Sequence, residues 1–154
     1  MIKFTLEDVE ETGGTGYPEE YGGPCLKRMV RRLAPAAQLT QFGVNIVRLT
    51  PGSWSGQRHW HSHEDELVIM QEGEATLVTD EGEQTVRPGD VIGFPAGVPN
   101  AHHLQNNGDK DCVFLVVGSR SDNDAAFYPD IDMQAQPGRY SNPDCFRRKD
   151  GSEF

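Results

Sequence analysis

From Gln41 to Ser119 the chain is a succession of short β-prone runs, FGVNIVRL, RHWH, ELVIM, ATLVT, QTVR, DVIGF, HHLQN and CVFLVVG, parted by Pro-Gly, Asp-Glu-Gly and Asn-Gly turn signals. A spacing of about eight to twelve residues per strand, with no helical period between strands, excludes a βαβ sheet and predicts an all-β sandwich or closed barrel. The 154 residues suffice for one hydrophobic core. The expected organisation is an N-terminal arm with short elements packed on the barrel over residues 1–40, the barrel over 41–119, and a mostly irregular C-terminal extension over 120–154. Gly, Pro and acidic residues crowd positions 11–24, which predicts loop there. In the tail, YPDIDM (128–133) is the stretch expected to add an edge strand or a packed turn.

Twenty-four Asp and Glu outweigh fourteen Lys and Arg, leaving a formal charge of −10. A field of that sign repels a phosphate backbone, so nucleic acid is not an expected partner. The basic cluster Lys27, Arg28, Arg31 and Arg32 reads as the solvated face of a short N-terminal element, with no function assigned. No apolar run approaches the roughly 18 to 20 residues of a membrane-spanning helix. Met1–Glu11 mixes Lys3 with acidic residues where a secretory leader would be basic and then apolar. Cys25, Cys112 and Cys145 are odd in number and widely spaced, without a Cys-x-x-Cys pair. That pattern fits neither a disulfide framework nor a cysteine zinc knuckle, and it predicts a cytoplasmic protein.

All five histidines fall in two short segments, His59, His61 and His63 in one, His102 and His103 in the other. Alternation along a strand puts His59 and His61 on one face and Trp60 on the opposite one. Ser62–Asp65 is polar enough for a hairpin turn, and the returning strand would stand Glu66 across from the two imidazoles. If the sheet closes, the segment that resumes at His102 reaches the same spot. Burying three imidazoles and a carboxylate unpartnered would cost roughly several kcal/mol, which ligation removes. The set His59, His61, Glu66 and His102 is therefore a candidate site for one divalent transition metal, with Fe, Mn, Ni, Co and Zn all open. His63, in the predicted turn, and His103, on the face opposite His102, read as ordinary polar residues.

Two stretches resemble the paired motifs of the cupins. The first is His59-Trp60-His61, four residues, Glu66, LVIMQE and Gly73, preceded by Gly52 one position further off than is usual in the family. The second is Gly89, DVIGF, Pro95-Ala96-Gly97, after which Asn100 stands where the family has a histidine. His102 follows two residues later and restores the three-residue spacing to Asn106. The resemblance spans about residues 42–118 and implies a double-stranded β-helix, the jelly-roll barrel, with a metal bound by the two motifs. QFGVNIVRL, RHWHSHEDE, FPAGVPNAHH and YPDIDM are also similar to small bacterial single-domain cupins that are loosely labelled sugar-phosphate isomerases.

That likeness implies a metal-dependent enzyme acting on a small polar metabolite such as a sugar phosphate. Glu66, or the adjacent Glu64, would move a proton between neighbouring carbons, and Arg48 or Arg58 would anchor a phosphate. A non-haem-iron dioxygenase and a non-catalytic ligand-binding or sensing module stand as alternatives, because the same fold serves all three. A homodimer is expected, since a short barrel leaves sheet edges to cover and relatives commonly pair. There is no Gly-x-Ser-x-Gly elbow, and Gly13, Gly14 and Gly16 lack the Lys-Ser or Lys-Thr of a phosphate loop.

Overall fold

In the computed structural model, which describes residues 1–142 and 144–154, each apolar run from Gln41 to Ser119 contains a strand. In chain order the strands are β1 (Glu11–Gly13), β2 (Arg28–Arg32), β3 (Phe42–Leu49), β4 (Trp60–His61), β5 (Glu66–Glu72), β6 (Ala75–Thr79) and β7 (Gly82–Val86), followed by β8 (Val91–Phe94), β9 (His103–Gln105), β10 (Cys112–Ser119), β11 (Ala126–Tyr128), β12 (Met133–Ala135) and β13 (Phe146–Arg147). Among the described residues they form a six-stranded sheet in the order β1-β2-β3-β10-β5-β8, a four-stranded sheet β13-β12-β11-β4 and a three-stranded sheet β7-β6-β9. The pairings are antiparallel, and the whole is a jelly-roll β-barrel.

Alternation along the strands builds the interior. Val47 and Leu49 of β3, Val68 and Met70 of β5, Phe114 of β10 and Leu77 of β6 turn the same way and join Leu104 of β9 in one buried cluster. Each such side chain stabilises the fold by about 1.5–3 kcal/mol relative to exposure. A second cluster, Ala126, Tyr128, Met133, Ala135 and Cys145, lies beside it and takes in Tyr17, Tyr21 and Phe146 from the two ends of the chain.

Two expectations need correction. Residues 11–24 are not all loop, because Glu11–Gly13 pairs with β2 and Glu19–Gly22 forms a helical turn. The edge strand is held by side chains beyond its own pattern, including an ion pair of Glu11 with Arg48 of β3. Within the C-terminal extension the short strands β11, β12 and β13 continue the sheet begun by β4, and YPDIDM forms the hairpin between β11 and β12. These strands are two or three residues long and partly built from Ala and Gln, so they carry little strand propensity and depend on tertiary packing. Ser62–Asp65 is not a hairpin either. β4 pairs with β11 while β5 pairs with β10 and β8, so the segment carries the chain from one sheet to the other.

Gly73 and Gly52 both adopt left-handed backbone, at φ 71° and 78°. A Cβ at Gly73 would lie 2.5 Å from the Asp111 carbonyl oxygen, whereas one at Gly52 would meet nothing within 4 Å. Gly52→Ala should therefore cost only the conformational penalty of about 1–2 kcal/mol. Gly73→Ala should cost about 1–3 kcal/mol more from the forced shift of backbone. Urea unfolding of the two variants side by side measures the difference, and equal losses would show that the close approach is not tight in solution.

Candidate metal centre

His59 and His102 are brought together by their own backbones. The His59 amide donates to the His102 carbonyl at 3.1 Å and the His102 amide returns the bond at 2.8 Å, joining the end of the first histidine segment to the start of the second. His61 stands two residues along, with its ring centroid 4.9 Å from that of His59. Glu66 enters from the start of β5. Ligand atoms of His59, His61 and Glu66 lie within 4.8 Å of one another, and His102 Nε2 is 3.8 Å from Glu66 Oε1. Two donors on one ion at about 2.1 Å each stand no more than about 4.2 Å apart, so the His102–Glu66 separation already suits a shared centre and the others need to close in by about half an ångström or less.

The tautomers are fixed by the surroundings. His59 Nδ1 lies 2.7 Å from the Gln57 carbonyl oxygen, His61 Nδ1 lies 2.7 Å from Asp124 Oδ2, and His102 Nδ1 lies 3.2 Å from the Asn100 carbonyl oxygen. Carbonyl and carboxylate oxygens accept, so each Nδ1 donates its proton and each Nε2 keeps a free lone pair. His102 Nε2 is buried without any hydrogen-bond partner among the described residues. A buried acceptor left bare costs about 1–3 kcal/mol, and a bound cation relieves that cost. The donor set, three imidazoles with a carboxylate, fits a divalent transition metal. Rings are held flat as well: Phe94 stacks on His102 at 3.5 Å between centroids, and Tyr128 stacks on His59 at 5.4 Å.

Electrostatics favour the metal-binding protonation states of the imidazoles. Burial, reinforced by the neighbouring imidazoles, pushes His59 well below its ordinary pKa, and burial pushes His102 down to about 4. Burial raises the Glu66 carboxyl, with His61 and Arg139 pulling the other way. Burial works against ionisation of Asp124 too, but its hydrogen bonds from His61 and the His63 amide outweigh it and hold the carboxyl below its usual range. Asp124 thus stays an anion behind His61.

His61, Glu64 and Asp124 also cluster within 4.8 Å, but Glu64 is already occupied. Its oxygens accept from the Ser121 amide at 2.7 Å, from the Tyr140 hydroxyl and from Arg139. This network ties the tail to the centre from behind.

Over its whole length the chain matches a sugar phosphate isomerase of the cupin superfamily from Silicibacter pomeroyi, with 42% identity, 99% of this chain and 96% of that chain covered, and a TM-score of 0.92. The chain belongs to the cupin superfamily. The cupin domain model matches residues 45–118. A protein provisionally named a sugar phosphate isomerase from Acidithiobacillus ferrooxidans shares 32% identity over 72% of each chain, with a TM-score of 0.68. A Cupin 2 conserved barrel domain protein from Salinispora arenicola shares 28% identity over 61% of this chain and 76% of that chain, with a TM-score of 0.53. No curated protein matches the sequence.

Within this cupin the second-motif histidine position is answered by the structure. Asn100 turns away and accepts the Asp80 amide through its side chain, while His102 reaches the centre. His103 is satisfied elsewhere, with Nδ1 on the Gly56 carbonyl at 3.0 Å and Nε2 on Gln105. His63 is exposed and its ring meets Ser62. The expected phosphate anchors do not reach the cavity: Arg48 pairs with Glu11 and Asp111, and Arg58 pairs with Asp80 and Asp130. Three other arginines, Arg28, Arg32 and Arg139, line a cavity of about 350 Å³ beside the centre, so the basic cluster is not merely a solvated face. Alternation along RMVRR puts Arg28, Val30 and Arg32 on one face and was the available signal for the first two; nothing local marked Asp124, Arg139 or Tyr140.

The histidine shifts set a pH dependence for the metal-free protein. An imidazole that must stay neutral when folded leaves the unfolded chain binding more protons below about pH 6.5, so stability falls as pH drops from there toward the folded value. For His102, between pH 7 and pH 5, the loss is about 2 kcal/mol. Glu66 acts in the opposite sense, because its raised carboxyl is relieved on taking a proton. Urea unfolding under chelation at the two pH values should show a steeper loss in wild type than in His102→Ala, by about that amount. Equal slopes would contradict the buried, neutral assignment.

Proposed function

We propose that this cupin is a metal-dependent isomerase acting on a small polar metabolite of the sugar-phosphate class. The observation that carries the reading is the clustering of His59, His61 and Glu66 on the wall of one cavity, with the unpartnered His102 Nε2 3.8 Å from Glu66. The whole-length likeness to the Silicibacter pomeroyi sugar phosphate isomerase supports the choice of reaction.

His59, His61, Glu66 and His102 would hold the metal, which when bound supplies Lewis-acid polarisation of a substrate carbonyl or hydroxyl oxygen. Glu66 is the one carboxylate among the described residues that line the cavity. Its oxygen not engaged by the metal would remove a proton from the carbon beside the carbonyl and deliver it to the neighbouring carbon. Glu64 is unfit for that task, because its oxygens are held by Arg139, Tyr140 and the Ser121 amide. Burial keeps the Tyr17 and Tyr128 hydroxyls protonated, and with Tyr128 donating to Tyr17 the Tyr17 proton is the one free to reach a substrate oxygen. Val47, Phe114 and Val116 line the apolar side of the cavity and limit the water that could compete for the proton.

The test is incubation of the full chain with a panel of aldose and ketose phosphates in D₂O, followed by NMR. Interconversion with one carbon-bound deuterium gained is expected, and Glu66→Gln should slow it by about 10²- to 10⁴-fold. Dioxygen uptake without interconversion would contradict the reading in favour of an iron dioxygenase. Binding without turnover across the panel would favour a sensing module.

A further inference from the structure

In a chain with ten more acidic than basic residues, arginines find carboxylates easily, and Arg48, Arg58, Arg87, Arg139, Arg147 and Arg148 all do so. Among the described residues Arg28 and Arg32 have no carboxylate partner, although both line the cavity. They sit on the cavity face of β2 with Val30 between them, and β3 backs them with Leu49, Val47 and Asn45 in register.

Arg28 is fixed by neutral acceptors. Its Nε donates to the Gly14 carbonyl at 3.3 Å and its Nη1 donates to the Ser55 carbonyl, so the guanidinium is positioned without being neutralised. Nη2 has no protein partner among the described residues. Beside it Gly56 lets three groups approach one another. A Cβ there would lie 3.0 Å from the Tyr17 hydroxyl oxygen, 3.7 Å from His59 Cε1 and 4.0 Å from Arg28 Nη1, so a side chain would be crowded out. A hydroxyl donor, a positioned guanidinium and a centre imidazole therefore stand close together, and all three line the cavity.

We propose that Arg28 and the Tyr17 hydroxyl form an anion subsite next to His59 that binds the phosphate of a phosphomonoester substrate, and that Arg32 at the rim draws the anion in. The subsite deepens the isomerase reading and rests on its assignment of this cavity to the substrate. A fixed positive charge inside a cavity gains most where the protein as a whole repels anions, because the local field must overcome that of a −10 chain. Donors arriving from separate directions match the three terminal oxygens of a phosphate better than the flat edge of a carboxylate. Arg139, the third cavity arginine, is already paired with Glu64 and Asp124 and does not compete.

The probe is inorganic phosphate, titrated calorimetrically into the full chain as purified and again after chelation, with acetate in parallel. Saturable phosphate binding that survives chelation and exceeds acetate binding is expected. Arg28→Gln should weaken it by about tenfold or more, and Arg32→Gln should flatten its salt dependence. Gly56→Ala keeps every charge but pushes the Tyr17 hydroxyl out of place, so it should weaken phosphate as well; it decides the matter if Arg28→Gln melts early. Arg48→Gln, outside the cavity, should bind as wild type does. No phosphate binding, loss of binding on chelation, parity with acetate, or wild-type affinity in both Arg28→Gln and Gly56→Ala would overturn the subsite. Isomerisation with an unchanged KM in Arg28→Gln would sink the subsite alone, whereas phosphate binding lost in Arg28→Gln without any isomerisation would sink the isomerase reading alone.

Discussion

Three imidazoles give their Nδ1 protons to oxygen acceptors, and the rest of the centre depends on that constraint. With Nδ1 committed to Gln57, Asp124 and Asn100, Nε2 is the nitrogen each ring leaves to a ligand. Two of the acceptors are carbonyls one turn of chain away, so His59 and His102 orient themselves locally and are drawn together by the backbone bridge between them. His61 differs, since its acceptor lies 63 residues on. Asp124 is in turn held by the His63 amide and flanked by Arg139, which makes the C-terminal extension part of the centre.

The fold was legible from the pleat of the barrel strands because each carries enough apolar residues to fix its own register. FGVNIVRL and CVFLVVG pair over their full length, as alternation alone would suggest. The proximity of His59, His61 and Glu66 was legible for the same reason, and His102 lies 3.8 Å from Glu66 where the second motif would bring it. The SHED segment misled because polarity marks a turn but does not say which sheet receives the next strand; that is decided by β5 finding β10 and β8. The short strands β1, β12 and β13 left no clear pattern in the sequence because their stability comes from distant partners, such as Tyr17 against Tyr128 and Phe146. Arg48 and Arg58 were equally unreadable as surface or site, since their partners Asp111, Asp80 and Asp130 come from loops remote in sequence.

The two ends therefore complete what the barrel begins. β2 adds the electropositive wall, the segment around Tyr17 adds a hydroxyl beside His59, and the tail adds Arg139 and Phe146 on the opposite side of the cavity. A net charge of −10 would keep anions away from most of the surface, so the cavity is chemically distinct from its surroundings in being lined by guanidinium groups together with a carboxylate and imidazoles. No helix among the described residues is long and apolar enough to cross a membrane.

The central claim is that His59, His61, Glu66 and His102 hold one metal ion, and metal content by plasma mass spectrometry tests it most directly, on untagged protein purified without chelator. About one equivalent of Fe, Mn, Ni, Co or Zn is predicted in wild type and in His63→Ala, whose ring is exposed and outside the centre, with loss in His61→Ala and His102→Ala. A wild type that carries no metal and takes up none on titration, or a His102→Ala variant that retains the full equivalent, would contradict it.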